Sequence, residues 1–169
     1  MAKTIIVDAC VATNAGSVEP PASVSIRARA FLEGIREFNH KLGLTTELER
    51  EWKDHAGRFA LRWWRTMRVK RHVVFVATHH QTVSRRRTLQ TSKSANEKAA
   101  MEKDWHLIEA ALCADRTVAS SDATVRRLFA RAAVSITQLQ PIVWVNPSSE
   151  DLATWLQADA PPDTDKQLG

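Results

Sequence analysis

Short, β-branched apolar runs alternate with stretches of helical periodicity along the whole chain, and this alternation restricts the fold more than any other feature. The runs are "TIIV" (4–7), "HVVFVAT" (72–78), "TVAS" (117–120) and "IVWV" (142–145), with "KLGLTT" a fifth and very short candidate. Strands separated throughout by helices predict a mostly parallel sheet of four or five strands, covered on both faces as a three-layer α/β/α sandwich. The 169 residues suit one such domain, expected over 1–158. The polar, proline-bearing "APPDTDKQLG" is expected to fray, making 159–169 a flexible tail.

Spacing places the helices. Phe31, Ile35, Phe38 and Leu42 recur at intervals of 4, 3 and 4, which predicts a helix over 24–40 ended by Gly43. Thr46 and Glu49 have the spacing of a capping box, so a second helix starts near Glu47. Its apolar face is Leu48, Trp52, Ala56, Phe59, Trp63 and Met67, one long helix with Gly57 inside it. That glycine costs roughly 1 kcal/mol relative to Ala. Ser94 and Glu97 repeat the capping box and open helical sequence that runs to Ala114, with a break near Asp104, itself a candidate N-cap. After Asp122 a helix turns Val125, Leu128, Phe129 and Ala132 inward, and a short one follows over 150–156.

Several function classes drop out. Lys plus Arg number 24 against 19 Asp plus Glu, giving +5 and a pI near 9.6. That surplus permits a polyanionic partner without requiring one. The two cysteines, Cys10 and Cys113, belong to no CxxC, so a reducing cytoplasm suits the chain better than a disulfide scaffold. Asp8 cuts the N-terminal apolar run short of a secretory signal, and no stretch approaches the ~20 apolar residues of a membrane helix. The five glycines form neither GxGxxG nor a Walker loop. A phosphatase of the Asp-x-Asp type would need an acid where Cys10 stands. His79-His80 has no partner at metal-ligand spacing, and His106, two residues from Asp104, is expected to point elsewhere on its helix.

Carboxylates in apolar settings are the candidate chemistry. Asp8 follows the first strand directly, and Asp122 repeats that pattern after "TVAS". An aspartate there is either a turn former or a ligand group, since ligands of α/β sheets collect at the carboxyl ends of the strands. Parallel neighbouring strands would set both acids on one edge. Asp104 lies on the Leu107/Ile108 stripe of its helix, and Glu51 flanks the Leu48/Trp52 face of its own. Four acids at the mouth of one sheet repel one another unless a divalent cation sits among them. Oxygen donors with no paired Cys or His favour Mg²⁺ or Mn²⁺ over zinc.

Four segments in this order, "IIVDACV", "ELEREW", "KDWHLIEAAL" and "VASSDATVRRLF", resemble the PIN-domain family of metal-dependent nucleases, and in particular a bacterial PIN-like group with similar Asp-x-His-Leu and Ser-x-Asp segments. The resemblance spans Lys3 to Trp144 and rests on order and spacing. It implies Asp8, Glu51, Asp104 and Asp122 as the catalytic acids, with Asp8, Asp104 and Asp122 on the metal, Glu51 orienting the attacking water or holding a second ion, and Ser120 in support. It also implies single-stranded RNA as substrate. The family often carries Ser, Thr or Asn where this chain has Cys10, which weakens a hydrogen bond expected beside the metal. Glu47 and Glu49 compete with Glu51 for the helix position, and Glu102 with Asp104.

Two functions compete. One is a metal-dependent endoribonuclease, with the toxin of a toxin–antitoxin pair as its narrower form and a protein antitoxin as partner. The other is a catalytically silent PIN-like module that binds RNA or protein. A homodimer is compatible with either. His55, Arg58, Arg62 and Arg65 continue from Glu51 at spacings of 4, 3, 4 and 3. That stripe is either an RNA-backbone track, carried by Arg58, Arg62 and Arg65, or a solvated helix flank. "SRRR" (84–87) is likewise either an RNA-contacting arm or an exposed loop.

Overall fold

The computed structural model describes residues 1–16, 22–78 and 83–169. Gly16 and Pro20-Pro21 predict a loop over 12–23, but 12–16 and 22–23 are helical; 17–21, and His79-His80, lie outside the described residues.

Ile5, Ile6 and Val7 are wholly buried on β1 (Thr4–Val7), as a central strand with both faces covered requires. It pairs in parallel with β2 (Lys41–Leu44) on one side and β4 (Thr117–Ala119) on the other. β3 (Val73–Phe75) flanks β2, and β5 (Val143–Val145) flanks β4, giving an all-parallel sheet of order β3-β2-β1-β4-β5. "KLGLTT" thus does hold a strand, and Leu42 belongs to it rather than to the preceding helix.

The helices are α1 (Ala9–Gly16), α2 (Ala22–Glu37), α3 (Thr46–His55), α4 (Arg58–Val69), α5 (Arg85–Leu89), α6 (Ala95–Lys103), α7 (Trp105–Leu112), α8 (Ala123–Ala133) and α9 (Ala153–Gln157). They cover both faces of the sheet, and the architecture is the expected three-layer α/β/α sandwich. From β1 the chain winds outward to β2 and β3, then crosses back through α5, α6 and α7 to β4. The winding direction therefore reverses between β1 and β4, and the crevice at such a reversal is where open α/β sheets bind ligands.

Three local departures matter for the site. The long helix expected from Glu47 to Met67 is two helices. Ala56 and Gly57 are extended (ψ 134° and 165°), and Gly57 caps α4. Crowding explains the break: a Cβ on Gly57 would lie 2.5 Å from the Cα of Gly16, where α1 ends against this corner. The α3 cap is Thr45, not Thr46; its hydroxyl accepts from Leu48 N–H at 3.1 Å. Ser94 does cap α6, accepting from Glu97 N–H, while the Glu97 carboxylate reaches back to Lys93 N–H.

The segment 159–169, expected as a flexible tail, is docked. Leu168 N–H donates to the Ile142 carbonyl at 2.9 Å, and Gln167 pairs antiparallel with Val143. β5 is an edge strand with unmatched backbone groups, which these residues satisfy. Ala160 and Leu168 join the core.

Candidate functional site

Asp8, Glu51, Asp104 and Asp122 line one cleft of about 250 Å³, together with Ala9, Cys10, Thr13, His55 and Lys103. Four separate elements bring the acids there. Asp8 ends β1, where its N–H donates to the Ala119 carbonyl and extends the ladder by one bond. Asp122 stands three residues beyond β4 and caps α8, its Oδ1 accepting from Val125 N–H at 2.9 Å. Glu51 rides on α3. Asp104 sits between α6 and α7.

Asp104 is the most informative of the four. It occupies the N-cap position of α7, yet its side chain makes no capping bond. An aspartate in that position ordinarily satisfies a backbone donor of the first turn. Instead the carboxyl is buried at 8% exposure and faces other acids. Its pKa is pushed up to about 6, first by burial and then by the charge of Asp8, with Asp122 adding to it; Lys103 and His106 pull the other way. Burial is the larger cause, and the neighbouring carboxylates add to it.

Asp8 is held from one side. Ser120 Oγ donates to its Oδ2 at 2.7 Å, Cys10 Sγ donates to the same oxygen at 3.0 Å, and Cys10 N–H reaches Oδ1 at 3.2 Å. Ser120 Oγ also accepts from Asp122 N–H at 3.2 Å, so one buried hydroxyl joins the two strand-end acids. Cys10 does serve as a donor here. Burial, the Asp8 charge and its hydrogen bond push the thiol up to about 12, keeping the S–H that donates.

Trp52 fixes the fourth acid. Its indole N–H donates to the carbonyl of Val7 at 2.8 Å, one residue before Asp8, while its ring packs against Trp63 and Trp64. A buried side-chain bond to the strand end thereby sets where Glu51 lies relative to Asp8. By spacing alone Trp52 is an apolar face residue; nothing in the sequence points to the bond.

His106 points away from Asp104 along α7, but it is not idle. Its Nε2 lies 3.3 Å from Glu51 Oε2. Glu47, Glu51 and His106 offer ligand atoms that all lie within 4.8 Å of one another. Asp8, Asp104 and Asp122 form no such close set among the described residues; they share the cleft at a wider spacing. Glu47, a competitor of Glu51 by sequence, therefore belongs to a cluster with it.

The basic stripe is interrupted where α3 gives way to α4. Arg58, Arg62 and Arg65 are exposed along α4. Arg58 and Arg62, with Arg29, Phe59 and Gly16, line a separate hollow of about 450 Å³. Arg29, which no sequence motif singles out, lies over the Phe59 ring and donates to the Ala15 carbonyl at 2.6 Å. Helix α1 connects the two places: Cys10 and Thr13 border the acids and Gly16 borders the arginines. Its eight residues span ~12 Å. Of "SRRR", Ser84 caps the short α5, and Arg85 and Arg86 line a larger hollow of about 720 Å³ that contains one acid, Glu102.

The cleft suits a hard dication. Its acidic donors are oxygens, and the raised Asp104 carboxyl marks charge that such an ion would relieve. Comparisons with protein-family models, curated proteins and solved structures returned no match. Among the described residues no helix is long and apolar enough to cross a membrane.

Proposed function

We propose that the protein is a metal-dependent endoribonuclease that hydrolyses phosphodiester bonds of single-stranded RNA in the cytoplasm, with Mg²⁺ or Mn²⁺ held by Asp8, Asp104 and Asp122. The observation that carries this reading is the uncapped, buried Asp104 meeting Asp8 and Asp122 in one cleft at the winding reversal of the sheet. The RNA substrate, and the narrower role of a toxin countered by a protein antitoxin, come from the PIN-like resemblance. A bound dication would supply charge neutralisation at the phosphate and a lowered pKa for an attacking water.

The chain's own residues supply the rest. Asp8 is oriented through Ser120 and Cys10, leaving its other lone pairs to the cleft. Glu51, positioned through Trp52, accepts a proton from, or orients, water entering beside Asp104. Arg58 and Arg62, about one α1 length from the acids, hold a backbone phosphate away from the scissile bond. Lys103, on the cleft wall, offers a positive charge to the nearer phosphate.

The wider spacing of the three aspartates favours a second reading, a silent module that binds RNA without cutting it. Cleavage of a fluorescent single-stranded RNA with and without Mn²⁺ separates the two. The nuclease reading expects metal-dependent cleavage that Asp8→Asn reduces at least 100-fold. RNA binding without cleavage at any divalent concentration sinks it.

A further inference from the structure

We infer that Glu47, Glu51 and His106 form a second metal site, built for a first-row transition dication such as Zn²⁺ and adjoining the aspartate cleft through Glu51. Such a site goes beyond the nuclease reading and stands without it.

The histidine is decisive. His106 is 6% exposed on α7, and its Nδ1 lies 3.0 Å from the Lys103 carbonyl. A carbonyl oxygen only accepts, so Nδ1 bears the proton. In the neutral ring Nε2 is then a bare lone pair. That nitrogen is buried, has no hydrogen-bond partner, and lies 3.3 Å from Glu51 Oε2 without hydrogen-bond alignment. A buried, unpartnered Nε2 and the carboxylate beside it have no donor between them, and a cation coordinated by both would satisfy them. Imidazole held by a backbone carbonyl through one nitrogen while the other faces carboxylates is the arrangement that orients metal-ligating histidines.

The donor set selects the ion. One imidazole nitrogen and two carboxylates, with ligand atoms all within 4.8 Å of one another, suit the N/O coordination of zinc and its neighbours better than the all-oxygen shell of Mg²⁺. Three protein ligands leave a fourth position open. Glu47 is exposed and His106 buried, so the site opens to solvent on one side and is walled on the other. Glu47 and Glu51 are one helical turn apart on α3, and the Trp52 bond to Val7 anchors that helix close to α7.

Calorimetric titration of the full chain with Zn²⁺, Mn²⁺ and Mg²⁺ tests the site. Wild type should bind one Zn²⁺ much more tightly than Mg²⁺, and Asp8→Asn should bind it equally well. Glu47→Gln should weaken zinc at least tenfold; because Glu47 is exposed, this variant keeps the fold. His106→Gln should weaken it further. Nitrogen-15 NMR of the histidines supplies a readout that needs no variant: zinc should move the His106 Nε2 resonance and leave Nδ1 protonated. Zinc affinity unchanged in Glu47→Gln, or lost in Asp8→Asn and kept in Glu47→Gln, would overturn the proposal. So would an Nε2 that carries a proton in the presence of saturating zinc. Failure of the nuclease reading shows instead as absent RNA cleavage with this zinc site intact.

Discussion

Replacing Asp104 with Asn should stabilise the metal-free protein, and should do so only above a definite pH. The Asp104 carboxyl titrates near 6 in the fold against an ordinary 3.8, so the folded state holds its proton over a window where the unfolded chain has lost it. Below about pH 4 both states are protonated and the residue imposes no electrostatic penalty. Between about pH 4 and 6 the folded protein binds more protons than the unfolded one, so stability falls as pH rises. Above about pH 6.5 the whole penalty is present. Its ceiling is about 3 kcal/mol, from 1.36 kcal/mol per decade of displacement. For a domain of this size each kcal/mol moves Tm by about 2–4 °C. The Asn variant, similar in shape but uncharged, should therefore melt up to roughly 6–12 °C above wild type at pH 7.5 in chelator.

The decisive quantity is the difference in unfolding free energy between variant and wild type, measured by urea titration at steps from pH 4 to 8. Titrating groups not coupled to Asp104 cancel in that difference. It should rise from a low plateau to a high one across pH 4 to 6.5. Dication should then close the gap, because an ion that binds only the fold adds RT ln(1 + [M]/Kd), about 2.7 kcal/mol at 100-fold excess over Kd. Asp104→Asn should lose part of that gain and Asp8→Asn most of it. A difference that stays flat with pH, or an Asn variant less stable than wild type at pH 7.5, refutes the account of crowded carboxylates.

Changing Arg58, Arg62 and Arg65 together to Gln should weaken RNA binding and reduce the slope of log affinity against log salt by up to about 2, at roughly 0.7 for each single-strand phosphate no longer neutralised. A salt slope equal to that of wild type makes α4 a solvated flank. Gly57→Ala should cost at least about 1–3 kcal/mol in denaturant unfolding, because the new Cβ would press within 2.5 Å of the Gly16 backbone, which has no flexible end to give; an unchanged midpoint would show that the α1 corner relaxes freely.

What the sequence discloses here is whatever depends on local pattern. β-branched runs and spacing suffice for the layers, and the strand-then-acid repeat suffices to find Asp8 and Asp122. Asp104 is findable too, because an acid on an apolar stripe stands out. Properties that depend on where two distant segments meet stay hidden. Gly57 reads as a tolerated helix interior until Gly16 is seen against it. Trp52 reads as core until its indole N–H is seen on the Val7 carbonyl. The C-terminal residues look polar enough to fray, yet the open edge of β5 gives Gln167 and Leu168 backbone partners that no composition reveals.

His106 shows the same limit at the site itself. Two residues along a helix from Asp104, it should face elsewhere, and it does: Asp104 turns to the aspartate cleft and His106 to α3. What spacing along one helix omits is that α3 presents Glu51 between them. Glu51 Oε2 lies toward His106, while the same residue lines the cleft with Asp8 and Asp104. One carboxylate thus borders both sites, on a helix that the Trp52 bond holds in register with β1. A cation on the His106 side would draw Glu51 charge away from the cleft, and a cation among the aspartates would compete for the same oxygens. Were both places to hold ions, they would be coupled through this single side chain, and Glu51 would be shared between them.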